Sequence, residues 1–466
     1  MKIYNTLTRQ KEDLIPLEEG KLRIYACGPT VYDYIHIGNA RPLCVFDVLR
    51  RYLEWRGFEV RFVQNFTDID DKIIRRANEE GVDYKTISER YIAEFWTDAK
   101  GLNVREATVH PRATENMDEI MSIIASLIDK GYAYPADNGD VYFRPRRFSE
   151  YGKLSHQEVD DLESGARIAV EEKKEDALDF ALWKAAKPGE PYWDSPWSKG
   201  RPGWHIECSA MARRYLGDTI DIHGGGQDLI FPHHENEIAQ SECCNGVPFA
   251  RYWMHNGYIN IDNKKMSKSL GNFFTVRTVA QEYGYEAIRY FLIASSYRSP
   301  INYSTEIVVQ GKAALERLYN CRNNLRFAAK NAPDGAPDEA LTASLEKRRQ
   351  QFIDAMDDDL NTADAIAAVF EMVKDINVAT APDANPTKAT CERALAAFGE
   401  LTGVLGLVYA EDEADEEADK IEAMIAARAA ARAEKNWAES DRIRDELKAM
   451  GVVLEDTKQG VKWHRA

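Results

Sequence analysis

The segment from Lys21 to Phe62 leaves this chain few folds. Lys21 to Ala26 is a short apolar strand that runs into Cys27-Gly28-Pro29-Thr30, which is turn chemistry. His36-Ile37-Gly38-Asn39 follows, and from Asn39 the residues Val45, Leu49, Tyr52 and Leu53 recur at helical spacing until Gly57 stops the run. Phe58, Val60 and Phe62 then alternate as a strand does. Strand, helix, strand in this order is a βαβ crossover, the unit of a parallel sheet. It predicts an α/β fold with a doubly wound, Rossmann-like sheet, although the chain carries neither GxGxxG nor GxxxxGK[ST]. Thr67, with Asp70 three residues on, is expected to cap a further helix that ends near Gly81.

At 466 residues the chain is long enough for roughly three domains. The sheet domain is expected over 1–300, with an irregular insertion at about 105–200 whose charged run Glu171 to Asp176 reads as a solvated face. A second half-fold begins with the strand Ile220 to His223, the glycines Gly224 to Gly226, and a helix from Pro232 through His233, Glu237 and Gln240. Over 301–410 the spacing predicts an α-helical bundle, with Leu315, Leu318 and Leu325 on one helix and Ile366, Val369, Phe370, Val373 and Ile376 on another. Seven of the nine residues from Glu411 to Asp419 are acidic, the composition of an extended linker. A small mixed α/β domain is expected over 420–466.

Sixty Lys plus Arg stand against 77 Asp plus Glu, a formal charge of −17, which is wrong for coating a polyanion and requires local basic patches for any nucleic-acid partner. The tail is such a place, with ten Lys or Arg against eight Asp or Glu after Asp419. Seven cysteines, an odd number, do not form a disulfide framework. The N-terminal residues carry no apolar signal run, and the segment Ile120 to Ile128 is too short to span a bilayer, so a cytoplasmic protein with no membrane partner is expected.

The strongest chemical signal is Lys265-Met266-Ser267-Lys268-Ser269, followed by Leu270-Gly271-Asn272. Ammonium groups, hydroxyls and backbone N–H groups in a glycine-bounded loop can surround a polyphosphate. This pentapeptide is expected by chance on the order of once in ten thousand chains of this length, which argues against an ordinary basic loop. His36-Ile37-Gly38-Asn39 sits where a strand meets a helix, and a helix N-terminus attracts anions. His233 and Glu237, four apart on a helix, face one way, and Cys27 and Cys208 can add two thiolates. That donor set suits Zn²⁺, with His234 or Glu235 able to replace either helix ligand. Cys44, Cys243, Cys244, Cys321 and Cys391 read as core or surface residues.

The two loop motifs together resemble the HIGH and KMSKS signatures of the class I aminoacyl-tRNA synthetases, which bind ATP. The first ends here in Asn39 rather than His, and an amide can hydrogen-bond to phosphate but cannot act as an acid. Cys27 to Asp33, Gly203 to Ser209 and Phe231 to Glu237 further resemble motifs of the cysteinyl-tRNA synthetase family, a likeness that runs end to end. That resemblance implies catalytic and ATP-binding roles for His36, Asn39, Lys265 and Lys268, with Gly38, Gly224 and Gly226 beside the nucleotide and Mg²⁺ accompanying it. It implies one zinc ion on Cys27, Cys208, His233 and Glu237, and substrate contacts from Gly28, Thr30, Thr67, Trp204 and Asp228. His205, His223, His234 and His255 are candidate ATP contacts. The bundle would contact the tRNA stem. In the tail, Trp437, Trp463, Arg442, Arg444, Lys462 and Arg465 are candidates to read unstacked anticodon-loop bases, with a core position on an amphipathic helix the preferred alternative for Trp437. The activity implied is ATP-dependent ligation of L-cysteine to tRNA(Cys) by a monomer. The alternatives are a ligase that joins cysteine to a small amino sugar and an idle RNA-binding relative.

Overall fold

The structure is a computed structural model that describes residues 1–158, 174–261, 264–265, 274–381, 383–410, 417–457 and 460–465. The chain forms two compact units, one of residues 1–312 with 354–364 and 404–406, the other of 313–353, 365–403 and 407–466. No helix among the described residues is long and apolar enough to cross a membrane.

The first unit is organised by four parallel strands in the order Ala250–Asn256, Ile220–Gly226, Lys21–Ala26, Glu59–Gln64. Ile24, Tyr25, Ala26, Val63, Ile220, Ile222, Trp253 and Met254 are all buried, as parallel strands covered on both faces require. The predicted crossover helix runs Ile37–Trp55 and packs Phe46, Leu49 and Tyr52 inward. From Lys21–Ala26 the chain crosses first to one side and later to the other. The adjacent carboxyl ends at Ala26 and Gly226 therefore lie at a topological switch point, where open α/β sheets bind ligands.

Three local expectations change. Asp70, not Thr67, caps the next helix, Asp71–Glu80, which closes on Gly81 at φ 68°. Thr67 is still extended and bridges Thr30, so its spacing to Asp70 was a coincidence of composition. The strand expected to stop at His223 continues through the glycines to Gly226. A Cβ at Gly224 would lie 2.1 Å from the Phe46 ring, so this glycine lets the crossover helix approach the sheet. The helix expected from Pro232 begins instead at Glu235, entered through a wide turn, Ile230–His234, in which Phe231 is extended.

The insertion is not irregular. It holds the helix Met117–Asp129 and a five-stranded antiparallel sheet in the order Ala133–Pro135, Val141–Phe143, Phe180–Ala185, Lys199–Pro202, Trp193–Asp194. Strands this short show little alternation, and Phe143 stacks on Phe180 across a long sequence gap. Of the charged run, 171–173 lie outside the described residues, while Glu175 pairs with Arg144 and Asp176 with Arg146.

The helices Glu339–Asp357, Thr362–Ala379 and Lys388–Leu405 lie mostly in the second unit, after the long helix Thr305–Asn331, whose first turns belong to the first unit. Of the acidic linker, 411–416 lie outside the described residues, and Ala418 already opens a helix. The tail is two helices, Ala418–Ala433 and Trp437–Ala449, and a hairpin of Val452–Thr457 with Gly460–Arg465. Ile421, Ile425, Ile443, Leu447 and Val452 form its core. Trp437 is not in that core: it is 59% exposed at the first position of its helix.

Candidate active site

A cleft of about 410 Å³ opens at the switch point, lined at one end by Cys27, Gly28, Thr30, Thr67, Trp204, Cys208 and His233. His36, Gly38, Asn39, Gly226, Asp228 and the stretch Asn256–Ile259 line the rest.

At the first end Cys27 follows its strand and lies near Cys208 on the helix Trp204–Leu216, His233 in the turn Ile230–His234 and Glu237 in the first turn of Glu235–Asn245. Cys27 Sγ lies 3.8 Å from Cys208 Sγ, 3.5 Å from His233 Nε2 and 3.5 Å from Glu237 Oε1. His233 Nε2 is 3.0 Å from Glu237 Oε1. Tetrahedral Zn²⁺ with its usual bond lengths has S···S edges of about 3.8 Å and S···N edges of about 3.6 Å. The donor types and their spacing therefore fit a divalent metal ion. Of the substitutes left open by sequence, Glu235 is excluded, because its carboxylate accepts the N–H groups of Gly152, Leu154 and Ser155. His234 is not: Cys27, His223, His234 and Glu237 also converge within 4.8 Å.

The electrostatics follow from shared protons. Burial opposes the charge on Glu237, but His223 and His233 outweigh it and hold the carboxyl at about 2. Burial would likewise neutralise His233, and Glu237 reverses this, raising the imidazole to about 10. The Cys208 thiol is lowered by the hydrogen bond from Cys27, whose own thiol burial pushes up. A divalent cation bound here would compete with the protons that these groups share.

His205, His223, His234 and His255 surround these donors and are not among the residues that line the cleft. His223 Nε2 is 2.8 Å from Glu237 Oε2, and His205 Nδ1 is 2.8 Å from His233 Nδ1. His234 Nδ1 reaches His255 Nε2 at 2.8 Å, and His255 Nδ1 reaches Thr6 Oγ1 at 2.8 Å. Burial keeps His205, His234 and His255 well below the usual imidazole range. Such partners fix ring orientation and tautomer. Trp204, 40% exposed, stacks on His233 with ring centroids 4.3 Å apart. Asn65 was not anticipated: its Oδ1 accepts the Gly28 N–H at 2.9 Å and lies 3.8 Å from Cys208 Sγ. A buried amide ending an apolar strand is the signal that marks it.

At the other end His36 is the N-cap of Ile37–Trp55. Its Nδ1 accepts the Asn39 N–H at 3.2 Å, and Asn39 Oδ1 accepts the His36 N–H at 3.3 Å. This reciprocal pair is a capping box made by His and Asn in place of Ser and Glu. It leaves the neutral imidazole proton on Nε2 and the Asn39 amide with NH₂ to donate. Pro42 lacks the N–H that would bond the Gly38 carbonyl, and both residues border the cleft. Thr30 and Thr67 sit side by side on a parallel bridge, and Asp228 lies in the turn Gln227–Leu229. Lys265 is on the strand Lys264–Lys265, paired with Asn260 and Ile261; 266–273, with Lys268, lie outside the described residues.

In the tail, Arg442 pairs with Glu439 and Glu446, Arg444 with Asp441, and Trp463 donates to Glu422 at 3.2 Å. Lys462 and Arg465 lie on the last strand, with side chains outside the described residues.

Residues 13–313 match the class I (C) tRNA synthetase catalytic domain, 351–409 the DALR domain, and 414–463 the cysteinyl-tRNA ligase anticodon binding domain. The chain is 56% identical over 466 residues to the cysteine–tRNA ligase of Caldicellulosiruptor saccharolyticus, covering 100% of both chains. It is 55% identical over 468 residues to that of Clostridioides difficile, again covering 100% of both. Among solved structures, Mycobacterium tuberculosis methionyl-tRNA synthetase bound by methionyl-adenylate superposes with a TM-score of 0.63. At 16% identity, over 83% of this chain and 92% of that one, this shows a shared fold alone.

Proposed function

The chain belongs to the cysteine–tRNA ligase family, and from that premise we propose that it joins L-cysteine to tRNA(Cys) in two steps in this cleft. First, a carboxylate oxygen of cysteine attacks the α-phosphorus of ATP; the bond to pyrophosphate breaks and cysteinyl-adenylate forms. Then a hydroxyl of the 3′-terminal ribose attacks the acyl carbon and AMP leaves. Neither step demands much proton chemistry from the protein, so the residues act by holding and by offsetting charge. The full-length match to tRNA ligases leaves the amino-sugar alternative without support.

In this reading Cys27, Cys208, His233 and Glu237 hold one zinc ion. When bound, zinc supplies a borderline-soft Lewis acid that takes a thiolate readily and a serine hydroxyl poorly. Gly28, Thr30, Thr67 and Trp204 confine the substrate side chain, and Asp228 receives its ammonium group. His36 through Nε2, Asn39 through its NH₂ and the first-turn N–H groups receive phosphate oxygens, with Mg²⁺ arriving on ATP. Gly226 leaves room for adenosine. Lys265 and Lys268 offset charge growing toward pyrophosphate. The tail stacks anticodon bases on Trp437 and Trp463, with Arg442, Arg444, Lys462 and Arg465 on the backbone, and the bundle meets the stem. The enzyme works as a cytoplasmic monomer.

The observation that carries this reading is the convergence of two thiols, an imidazole and a carboxylate within 4.8 Å beside the cleft. Metal analysis with amino-acid-dependent pyrophosphate–ATP exchange tests it. One zinc per chain and a preference for cysteine over serine on the order of 10⁴ are expected; equal exchange with serine rejects it. Removing residues 420–466 should leave exchange intact while aminoacylation of tRNA is lost.

A further inference from the structure

Arg41, in the helix Ile37–Trp55, is 0% exposed, yet among the described residues its hydrogen-bond partners include no carboxylate. Its guanidinium donates to four backbone carbonyls. Nη1 reaches Gly257 O at 2.7 Å and Tyr258 O at 3.1 Å. Nη2 reaches Ser296 O at 3.1 Å and Ser299 O at 2.7 Å. Burial lowers its pKa only to about 10, so it stays a cation at neutral pH. A charge sunk among neutral dipoles is expensive, and packing alone would be served by an apolar side chain of similar shape. What an apolar residue cannot do is span several carbonyls at fixed spacing with one rigid plane of donors.

Those carbonyls lie on two segments that also grip each other. Gly257 N–H donates to Tyr297 O at 2.8 Å and Ile301 N–H to Tyr258 O at 3.0 Å. A Cβ on Gly257 would lie 2.6 Å from the Ser299 carbonyl. Asn256, Gly257 and Tyr258 line the same cleft as His36, Gly38 and Asn39. The same helix start is tied again on its other side, where Ile37 N–H donates to Phe274 O at 3.2 Å and Val276 N–H to Ile35 O at 2.9 Å.

We propose that Arg41 is a positioning residue for adenylate formation: it sets the cleft wall 256–258 against the phosphate-binding helix start, touching neither substrate. This rests on the ligase reading above. The test is Arg41→Gln and Arg41→Lys, with thermal melting, zinc content, and kcat and KM for ATP and for cysteine in pyrophosphate exchange. Both variants should keep zinc and keep KM for cysteine within about twofold, while kcat falls by about tenfold to a hundredfold and KM for ATP rises. Lysine should rescue little, because a point charge cannot bridge both segments. An unchanged kcat in a folded variant, full rescue by lysine, or a KM for cysteine that worsens in step with kcat would overturn the proposal. If the glutamine variant melts below the assay temperature, the lysine variant carries the comparison. Absence of exchange in the unmodified enzyme would instead overturn the ligase reading.

Discussion

The two ends of the cleft are built in different ways. At the metal end every donor is a side chain, brought by the strand Lys21–Ala26, the helix Trp204–Leu216 and the entry to Glu235–Asn245, and each is braced by another side chain. At the other end, proposed to take the nucleotide, main chain contributes as well: the first-turn N–H groups behind the His36 and Asn39 cap, the glycines Gly38 and Gly226, and the wall clamped by Arg41. Side-chain ligands are lost outright on substitution, whereas main-chain N–H donors remain when a neighbouring side chain is removed. The two ends should therefore fail by different amounts.

The largest effect is expected for Cys208→Ala, which removes one of four converging donors. Bound zinc should fall below about a tenth of an equivalent and cysteine-dependent exchange by about 10³-fold or more, read by metal analysis beside the exchange assay. Full metal retention through Cys27, His223, His234 and Glu237 would break the comparison, since it would make the metal end as tolerant as the other. Lys268→Ala comes next: zinc content should be unchanged and kcat for exchange lowered by about 10² to 10³, the loss typical of one charge-stabilising group. A loss of zinc in that variant would show that the ends are not separable. The smallest effect belongs to Asn39→Ala, which deletes half of the capping box. It should cost about 1 kcal/mol of stability, visible as a melt a few degrees lower, and raise KM for ATP less than tenfold. A loss as large as that of Lys268 would mean that Asn39 acts on the phosphates far beyond its capping.

Much of this was legible along the chain. The crossover from Lys21 to Gln64 showed itself because strand and helix periods are local, and its helix was found with a start error of only two residues at Ile37. The insertion stayed hidden because its strands are two to six residues long and Phe143 meets Phe180 only in space. Thr67 misled because a capping-box spacing does not reveal that the backbone is still extended beside Thr30. Trp437 misled because helical periodicity assigns a face but does not reveal that this residue, at the first position of its helix, is left out of the core.

Residue identity by itself determined the chemistry: which groups can hold a soft cation, which can meet a triphosphate, and that a parallel sheet carries them. Which of His233, His234, Glu235 and Glu237 face Cys27 and Cys208 was decided only by the folded chain. The wide turn at Ile230–His234 sets the phase of the helix that follows, and one residue of phase turns a side chain by about 100° around the axis. That phase is fixed by packing against distant elements, which no local pattern encodes. The placement of Arg41 was decided in the same way, since the carbonyls that hold it belong to segments far along the chain.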